Sequence, residues 1–198
     1  MLVADMGQIL DPLFIWMFRF PLPPLAAFGL GLTLLALAVT VVGELSMAGA
    51  YFLNRKHFAK INREMVQNNN NSIRALSQGD KASYKACNSL ANDAFGRNFF
   101  SGIALFASSI WPVAFALGWL ALRYGAVEFP LPLVERTVGP NFYFVPLYIA
   151  VRVAFCKAKP WLPVFRTIRA AVLANQDTGE RMLSWADLLG PQPGKRQE

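Results

Sequence analysis

Charged residues are scarce in this chain, and their scarcity narrows the classes of protein to which it can belong. Only 16% of its 198 residues are charged and 55% are hydrophobic, whereas soluble domains carry about a quarter charged residues. A chain of this length has room for one domain, whose core cannot hide so many apolar side chains. The composition therefore argues against a soluble enzyme and excludes a disordered or fibrous chain.

Residues that commonly build catalytic and metal sites are also few. The chain has one histidine, His57, and two cysteines, Cys87 and Cys156. It contains no phosphate-binding G-x-x-x-x-G-K-[ST] loop, no G-x-S-x-G, no H-E-x-x-H and no C-x-x-C. We therefore expect no enzymatic activity, no cofactor, no metal site and no disulfide.

Long uncharged runs are the main positive feature. Phe20 to Gly43 is a run of 24 residues and Asn98 to Leu122 a run of 25, and about 20 apolar residues cross a bilayer as a helix. A third run, Thr137 to Val151, has 15 residues and continues past Arg152 to Cys156. The sequence thus predicts an all-α integral membrane protein with three transmembrane helices, at 25–53, 98–122 and 141–157. Pro112 is expected to kink the second.

Basic residues predict the orientation of these helices. One lies before the first span, eight lie between the first and second, two lie between the second and third, and seven follow the third when Lys157 at its end is included. Because cytoplasmic segments are enriched in Lys and Arg, the N-terminus is expected outside and the C-terminus in the cytoplasm. A prokaryotic inner membrane fits best. The same pattern accounts for the charge of +7 without a sequence-specific nucleic-acid partner, and it makes the lipid bilayer the first partner.

The connecting segments have their own signals. In residues 1–24, Asp11-Pro12 predicts the start of a short helix lying in the outer interface. Residues 54–97 predict a cytoplasmic helical hairpin, a short coiled coil with a break at Ser77–Asp80 and Asp80 as the cap of its second helix. A solvated polar linker is the alternative. The asparagines at 68–71 are expected in a loop, since they are poor helix formers.

The remaining segments are an outer crossing and a tail. Residues 123–140 carry two closely spaced prolines, Pro130 and Pro132, and predict a stiff, non-helical connection. Residues 158–198 predict a cytoplasmic amphipathic tail. Within the tail, Asp177-Thr178-Gly179-Glu180 resembles the capping box that begins a last helix.

Two charges inside the predicted spans are the candidate site. Arg152 lies in the third span and Glu44 in the first, and a charge near the bilayer centre costs about 2.5–3.5 kcal/mol unless it faces a partner or a wet cavity. One interpretation is a hydrophilic groove open to the cytoplasm, lined by Arg152 with Glu44 as counter-ion. The other is that both side chains extend to the headgroups. Asn141 and Ser101 are further polar candidates for the groove.

The order of these parts, with two short motifs, resembles the Oxa/YidC/Get superfamily of membrane-protein insertases. The motifs are Phe129-Pro130-Leu131-Pro132-Leu133 in the crossing, and Asn141-Phe142-Tyr143-Phe144 followed by Ile149-Ala150-Val151-Arg152 in the third span. The resemblance covers about Leu25 to Lys159, mostly as topology. It is strongest to the branch of the third subunit of the endoplasmic-reticulum membrane protein complex, with its TMCO-type and archaeal relatives.

This resemblance implies a function. In that superfamily a groove open to the cytoplasm draws in the hydrophilic flank of a client helix, while the hairpin contacts the client or the ribosome. Carried over, Arg152 would be the groove arginine, and Phe58, Ile61 and Met65 would contact nascent or hydrophobic client membrane proteins. The arginine usual in the first core span has no counterpart between Leu25 and Gly43. The alternative is a structural accessory subunit of a larger respiratory, transport or secretion complex; an ion channel is less well supported because no span carries a repeated polar face.

Overall fold

Helices make up most of the residues that the structure describes, which confirms the predicted all-α class. A computed structural model describes residues 2–130 and 137–188. The helices are α1 (Leu2–Phe14), α2 (Pro24–Leu53), α3 (Arg55–Ser77), α4 (Lys81–Ala107), α5 (Trp111–Tyr124), α6 (Pro140–Ala158), α7 (Pro163–Gln176) and α8 (Trp185–Leu188), with 3-10 turns at Ile15–Phe18 and Lys159–Trp161. Contacts divide the chain into a first unit, residues 1–49 and 106–166, and a second unit, residues 50–105 and 167–198.

Among the residues that the structure describes, two helical segments are long and apolar enough to cross a membrane, by length and composition. They are Pro24–Leu53, which is α2, and Lys81–Tyr124, which comprises α4 and α5. The helix predicted at 141–157 forms as α6, whose 19 residues include Arg152 and Lys157. At 1.5 Å per residue it is about 28 Å long.

The second predicted span is not the single helix expected at 98–122. Helix α4 begins in the hairpin at Lys81 and ends at Ala107, and α5 begins at Trp111 after a three-residue turn. Pro112 lies at the start of α5 rather than inside a helix. Proline has no N–H and its ring clashes with the carbonyl four residues earlier, so the chain ends one helix and begins another instead of kinking.

The N-terminal helix also differs from the prediction, because it begins at Leu2 and contains Pro12. Asp11 is not its cap. The Asp11 carboxylate instead accepts a hydrogen bond from Trp119 Nε1 (3.2 Å) and lies 3.5 Å from Arg123 Nε. The acid and the proline therefore do not mark a helix start, since Asp11 is used in a contact with α5.

The first unit has an apolar core to which four helical segments and the first 3-10 turn contribute. Its buried members are Phe14, Met17, Leu32, Leu35, Ala36, Val39, Val113, Ala116, Trp119, Leu120, Phe144 and Tyr148. The crossing adds a short antiparallel ladder in which Phe129 pairs with Val138 and Pro130 with Thr137. Phe129 stacks on Phe28 with ring centroids 5.1 Å apart. Residues 131–133 of the crossing motif lie outside the described residues.

The segment predicted as a hairpin is helical, and its helices α3 and α4 are joined in the second unit by a tight turn. Gly79 has φ of +76°, a left-handed conformation that glycine adopts without strain. Asp80 Oδ1 accepts hydrogen bonds from the backbone N–H groups of Ser83 (3.0 Å) and Ala82 (3.1 Å). The hydrogen bonds from Ser83 hold the pKa of Asp80 below its usual value. Asp80 therefore caps α4 as predicted.

The asparagine run is not the expected loop, because residues 68–71 lie inside α3. One face of α3 binds a later, largely non-helical part of the chain. Asn62, Asn69 and Asn70 donate from Nδ2 to the carbonyls of Gln176 (2.7 Å), Leu183 (2.8 Å) and Arg181 (3.0 Å), and Leu183 N donates to Asn70 Oδ1 (2.8 Å). These bonds outweigh the few tenths of a kcal/mol per residue that asparagine costs in a helix.

The predicted last helix begins later than its capping motif suggested. Residues 177–180 form a turn in which Gly179 N donates to Asp177 Oδ1 (2.9 Å) and Gly179 has φ of +71°. Helix α8 follows Ser184, whose N–H donates to Asp187 Oδ2 (2.7 Å). One half of a capping box therefore begins α8, with the Asp187 carboxylate accepting from the backbone N–H of Ser184.

Asn70→Ala is expected to release residues 180–183 from α3. Asn70 is fully buried, and its loss leaves the Leu183 N–H and the Arg181 carbonyl without this partner. At about 1 kcal/mol for each bond, hydrogen exchange in 180–183 should rise by roughly tenfold or more. Asn71→Ala, at an exposed position of the same run, is the matched control and should leave exchange there unchanged. Equal exchange in both variants would contradict this role of Asn70.

Candidate functional site: a buried ion cluster

The first unit contains an ion cluster, which we define as Glu44, Arg152 and Lys159. Glu44 comes from α2, Arg152 from α6 and Lys159 from the turn that follows α6. Ser109, in the turn between α4 and α5, and Tyr148, one helical turn before Arg152, complete its surroundings. Polar groups from separate segments therefore meet within a largely apolar part of the chain.

Glu44 lies at the centre of the cluster. Its side chain is only 4% exposed, and Glu44 Oε1 lies 3.8 Å from Arg152 Nη2. Lys159 Nζ donates to the other oxygen, Oε2. A buried carboxylate is costly unless it is paired and hydrogen-bonded, and here both of its oxygens face a cation.

Arg152 is held by contacts within the first unit. Nη2 donates to Ser109 Oγ (2.7 Å), and Nη1 donates to Tyr148 Oη. The guanidinium carbon also lies 5.3 Å from the centre of the Phe106 ring, a distance at which a cation is attracted to the ring face. Arg152 and Glu44, predicted as an arginine and its counter-ion, are thus brought together.

The cluster carries two cations and one carboxylate, so its net charge is +1. The side chains of Arg152 and Lys159 are 16% and 27% exposed, so the positive charge is partly accessible from outside while Glu44 is not. Such an arrangement can attract an acidic group. When no acidic group is bound, Glu44 keeps the two cations in place.

A close approach of two backbones positions Ser109. A Cβ atom built on Gly43 would overlap the Ser109 carbonyl oxygen, so only glycine allows α2 to lie against the turn at 108–110. Ser109 Oγ also donates to the Phe106 carbonyl (2.7 Å), which leaves its lone pairs to accept from Arg152. The break between α4 and α5 therefore builds one wall of the site.

Two other predicted groove residues are not part of the cluster. Asn141 lies at the start of α6, eleven residues before Arg152 and thus about 16 Å away along the helix, where its Nδ2 donates to the Leu117 carbonyl (3.4 Å). Ser101 lies in the second unit and lines a small hollow of about 220 Å³ there with Asn54, His57 and Phe58.

The residues predicted to contact a client are packed within the second unit. Ile61 is buried, and the half-buried Phe58 stacks on Tyr51 with ring centroids 5.0 Å apart. Met65 is half-buried as well. The exposed apolar side chains of the hairpin lie on α4 instead, and include Leu90, Phe95 and Phe99.

Sequence reasoning missed Lys159, Ser109 and Tyr148. Tyr148 precedes Arg152 by four residues, a spacing that places both side chains on one helix face. Lys159 follows Arg152 by seven residues, which is also close to the same face, so both could have been found. Nothing in the sequence indicates that Ser109 meets Arg152, because their contact depends on the turn at 108–110.

Comparison with known proteins identifies no relative. No family model matches the chain, and neither a curated protein nor a solved structure matches it at a significant level.

Proposed function

We propose that this chain is an integral membrane protein that helps client transmembrane segments enter the bilayer. In this proposal α2, α4 with α5, and α6 are three spans, the N-terminus is outside, and the hairpin and the C-terminus are cytoplasmic. The two long apolar segments and the alternation of basic residues along the chain support it. The order of parts shared with the Oxa/YidC/Get superfamily is the reason for choosing insertion over other membrane functions.

The observation that carries the proposal is the ion cluster. Its net charge of +1 lies among apolar helices, and its two cations are partly exposed while Glu44 is buried. An acidic flank of a client helix pays a large desolvation cost on entering the bilayer. A positive site at intermediate depth lowers that cost by accepting the client carboxylate next to Arg152. Burial of the client's apolar helix then drives insertion without a nucleotide.

Arg152→Ala is expected to impair the insertion of a single-span client whose short translocated flank is acidic. We expect the rate in reconstituted vesicles to fall about tenfold, which corresponds to roughly half of the 2.5–3.5 kcal/mol cost of a charge at the bilayer centre. Protease protection of the translocated flank measures the rate. Arg152→Lys keeps the charge and should retain most of the activity.

The matched control for this experiment is a second client that differs only in its flank. A client whose flank has neutral residues in place of the acidic ones should enter wild-type and Arg152→Ala vesicles at equal rates. Thermal unfolding of both variants in detergent distinguishes a loss of fold from a loss of function. A folded Arg152→Ala protein that inserts the acidic client at the wild-type rate would contradict the proposal.

A structural accessory subunit of a larger membrane complex is the second candidate. It is favoured by the internal contacts of Arg152, since Ser109, Tyr148 and Glu44 all lie in the same unit. In that case Arg152→Ala would leave insertion unchanged and would reduce the amount of complex recovered with the tagged chain from its own membrane.

A further inference from the structure

A second polar site lies in the first unit, between the N-terminal helix and α5. It is a cleft of about 710 Å³ whose lining includes Asp11, Trp16, Arg19, Trp119, Leu122 and Arg123. We call it the N-terminal cleft. Its size is within the range of small-molecule sites, about 300–1,000 Å³, and it contains none of the residues of the ion cluster.

The described lining of the N-terminal cleft has more basic than acidic side chains. Asp11 is the one acid among the described lining residues, and its carboxylate is already used by Arg123, 3.5 Å away, and by Trp119 Nε1, 3.2 Å away. Arg19 is exposed, and no side chain that the structure describes forms an ion pair with it. The cleft therefore presents one arginine whose charge no described acid offsets.

The rest of the cleft is apolar and aromatic. Trp16 and Leu122 are exposed large side chains, and Ile15 also contributes to the lining. Tryptophan is enriched where a membrane meets water, because its ring is apolar and its N–H is polar. An arginine beside such a wall matches a ligand with an anionic head and a hydrocarbon chain.

We propose that the N-terminal cleft binds the phosphate headgroup of an anionic phospholipid. Arg19 contacts the phosphate through its planar fork of N–H donors, and the acyl chain lies against Trp16 and Leu122. The exposed charge of Arg19, which no described acid offsets, favours an anionic lipid over a zwitterionic one. This proposal requires that the chain is membrane-embedded, but it does not require insertion activity.

The test is lipid binding by the full-length protein in detergent, measured by native mass spectrometry. The probes are phosphatidylglycerol, phosphatidylcholine of the same chain length, and inorganic phosphate. Wild type should bind phosphatidylglycerol in preference, and Arg19→Gln should weaken that binding about fivefold, the effect of one basic residue at an anionic membrane surface. Binding of phosphatidylcholine should weaken less, because its positive choline group offsets the charge of the phosphate that Arg19 contacts.

The controls separate the cleft from other sites. Arg63→Gln removes an exposed charge from α3 and should leave the preference intact, whereas Leu122→Gln should weaken both lipids. Equal affinity for the two lipids, or unchanged phosphatidylglycerol binding in Arg19→Gln, would overturn the proposal. Displacement of phosphatidylglycerol by millimolar phosphate would assign the cleft to a free anion and overturn the lipid assignment. Because insertion is not measured, failure here is distinct from failure of the proposed function.

Discussion

Replacing Glu44 by Gln is expected to destabilise the protein more than any other single charge removal in the first unit. The amide has nearly the same shape as the carboxylate, but it leaves Arg152 and Lys159 close together without a counter-ion. Breaking a buried ion pair in this way costs about 3–5 kcal/mol. For a chain of this size that corresponds to a drop in Tm of roughly 10 °C, measured in detergent by intrinsic fluorescence.

A matched control for this variant is Glu64→Gln. Glu64 Oε2 lies 2.7 Å from Arg97 Nη2, but the two side chains are 31% and 56% exposed, and exposed pairs contribute less than about 1 kcal/mol. A double-mutant cycle of Glu44→Gln with Arg152→Gln gives the coupling of that pair directly. If Glu44→Gln and Glu64→Gln lowered Tm equally, the cluster would not have the buried character described for it.

Features determined by local chemistry could be predicted from the sequence. A long uncharged run can only be helical if it is to satisfy its own backbone in an apolar environment, and α2 has nearly the predicted bounds. Asp80 caps α4 because its carboxylate reaches N–H groups two and three residues later, a contact within one turn. The pairing of Arg152 with Glu44 was also predictable, since a buried charge requires an opposite one.

Features that depend on distant parts of the chain could not be predicted. The asparagines at 68–71 have low helix propensity, yet Asn69 and Asn70 lie in α3 because they bind residues more than 100 positions later in the chain. Asp11 has the sequence context of a helix cap but is used by Trp119 and Arg123. In each case a tertiary hydrogen bond outweighs a local preference of a few tenths to about 1 kcal/mol.

The ion cluster depends both on local chemistry and on contacts between distant parts of the chain. The charge of Arg152 indicates that a partner must exist, but the partner's geometry depends on where α4 ends and α5 begins. Pro112 ends the helical pattern near that point, and the resulting turn brings Ser109 to the guanidinium. Pro112 thus contributes to the candidate site indirectly, through the turn that precedes it.

Gly43→Ala is expected to disrupt the ion cluster without changing any of its charges. The added methyl group would overlap the Ser109 carbonyl oxygen, and neither backbone can move as a flexible side chain could. Either α2 or the turn at 108–110 must shift, which separates Glu44 from Arg152. Overpacking of this kind costs up to about 3 kcal/mol, so Tm should fall by roughly 6–12 °C, and client insertion, if it depends on the cluster, should fall with it.

Gly49→Ala is the matched control, because Gly49 lies in the same helix and, apart from its own stretch of helix, no described atom lies within 4 Å of the position of an added Cβ. Alanine there should stabilise α2 by about 0.5–1 kcal/mol, since glycine loses more conformational freedom in a helix. The two substitutions are chemically identical and lie less than two helical turns apart, so a difference in sign isolates the contact with Ser109. A Gly43→Ala protein as stable as Gly49→Ala would show that α2 does not lie against the turn at 108–110. In that case the contact between α2 and this turn would not position Ser109 beside Arg152.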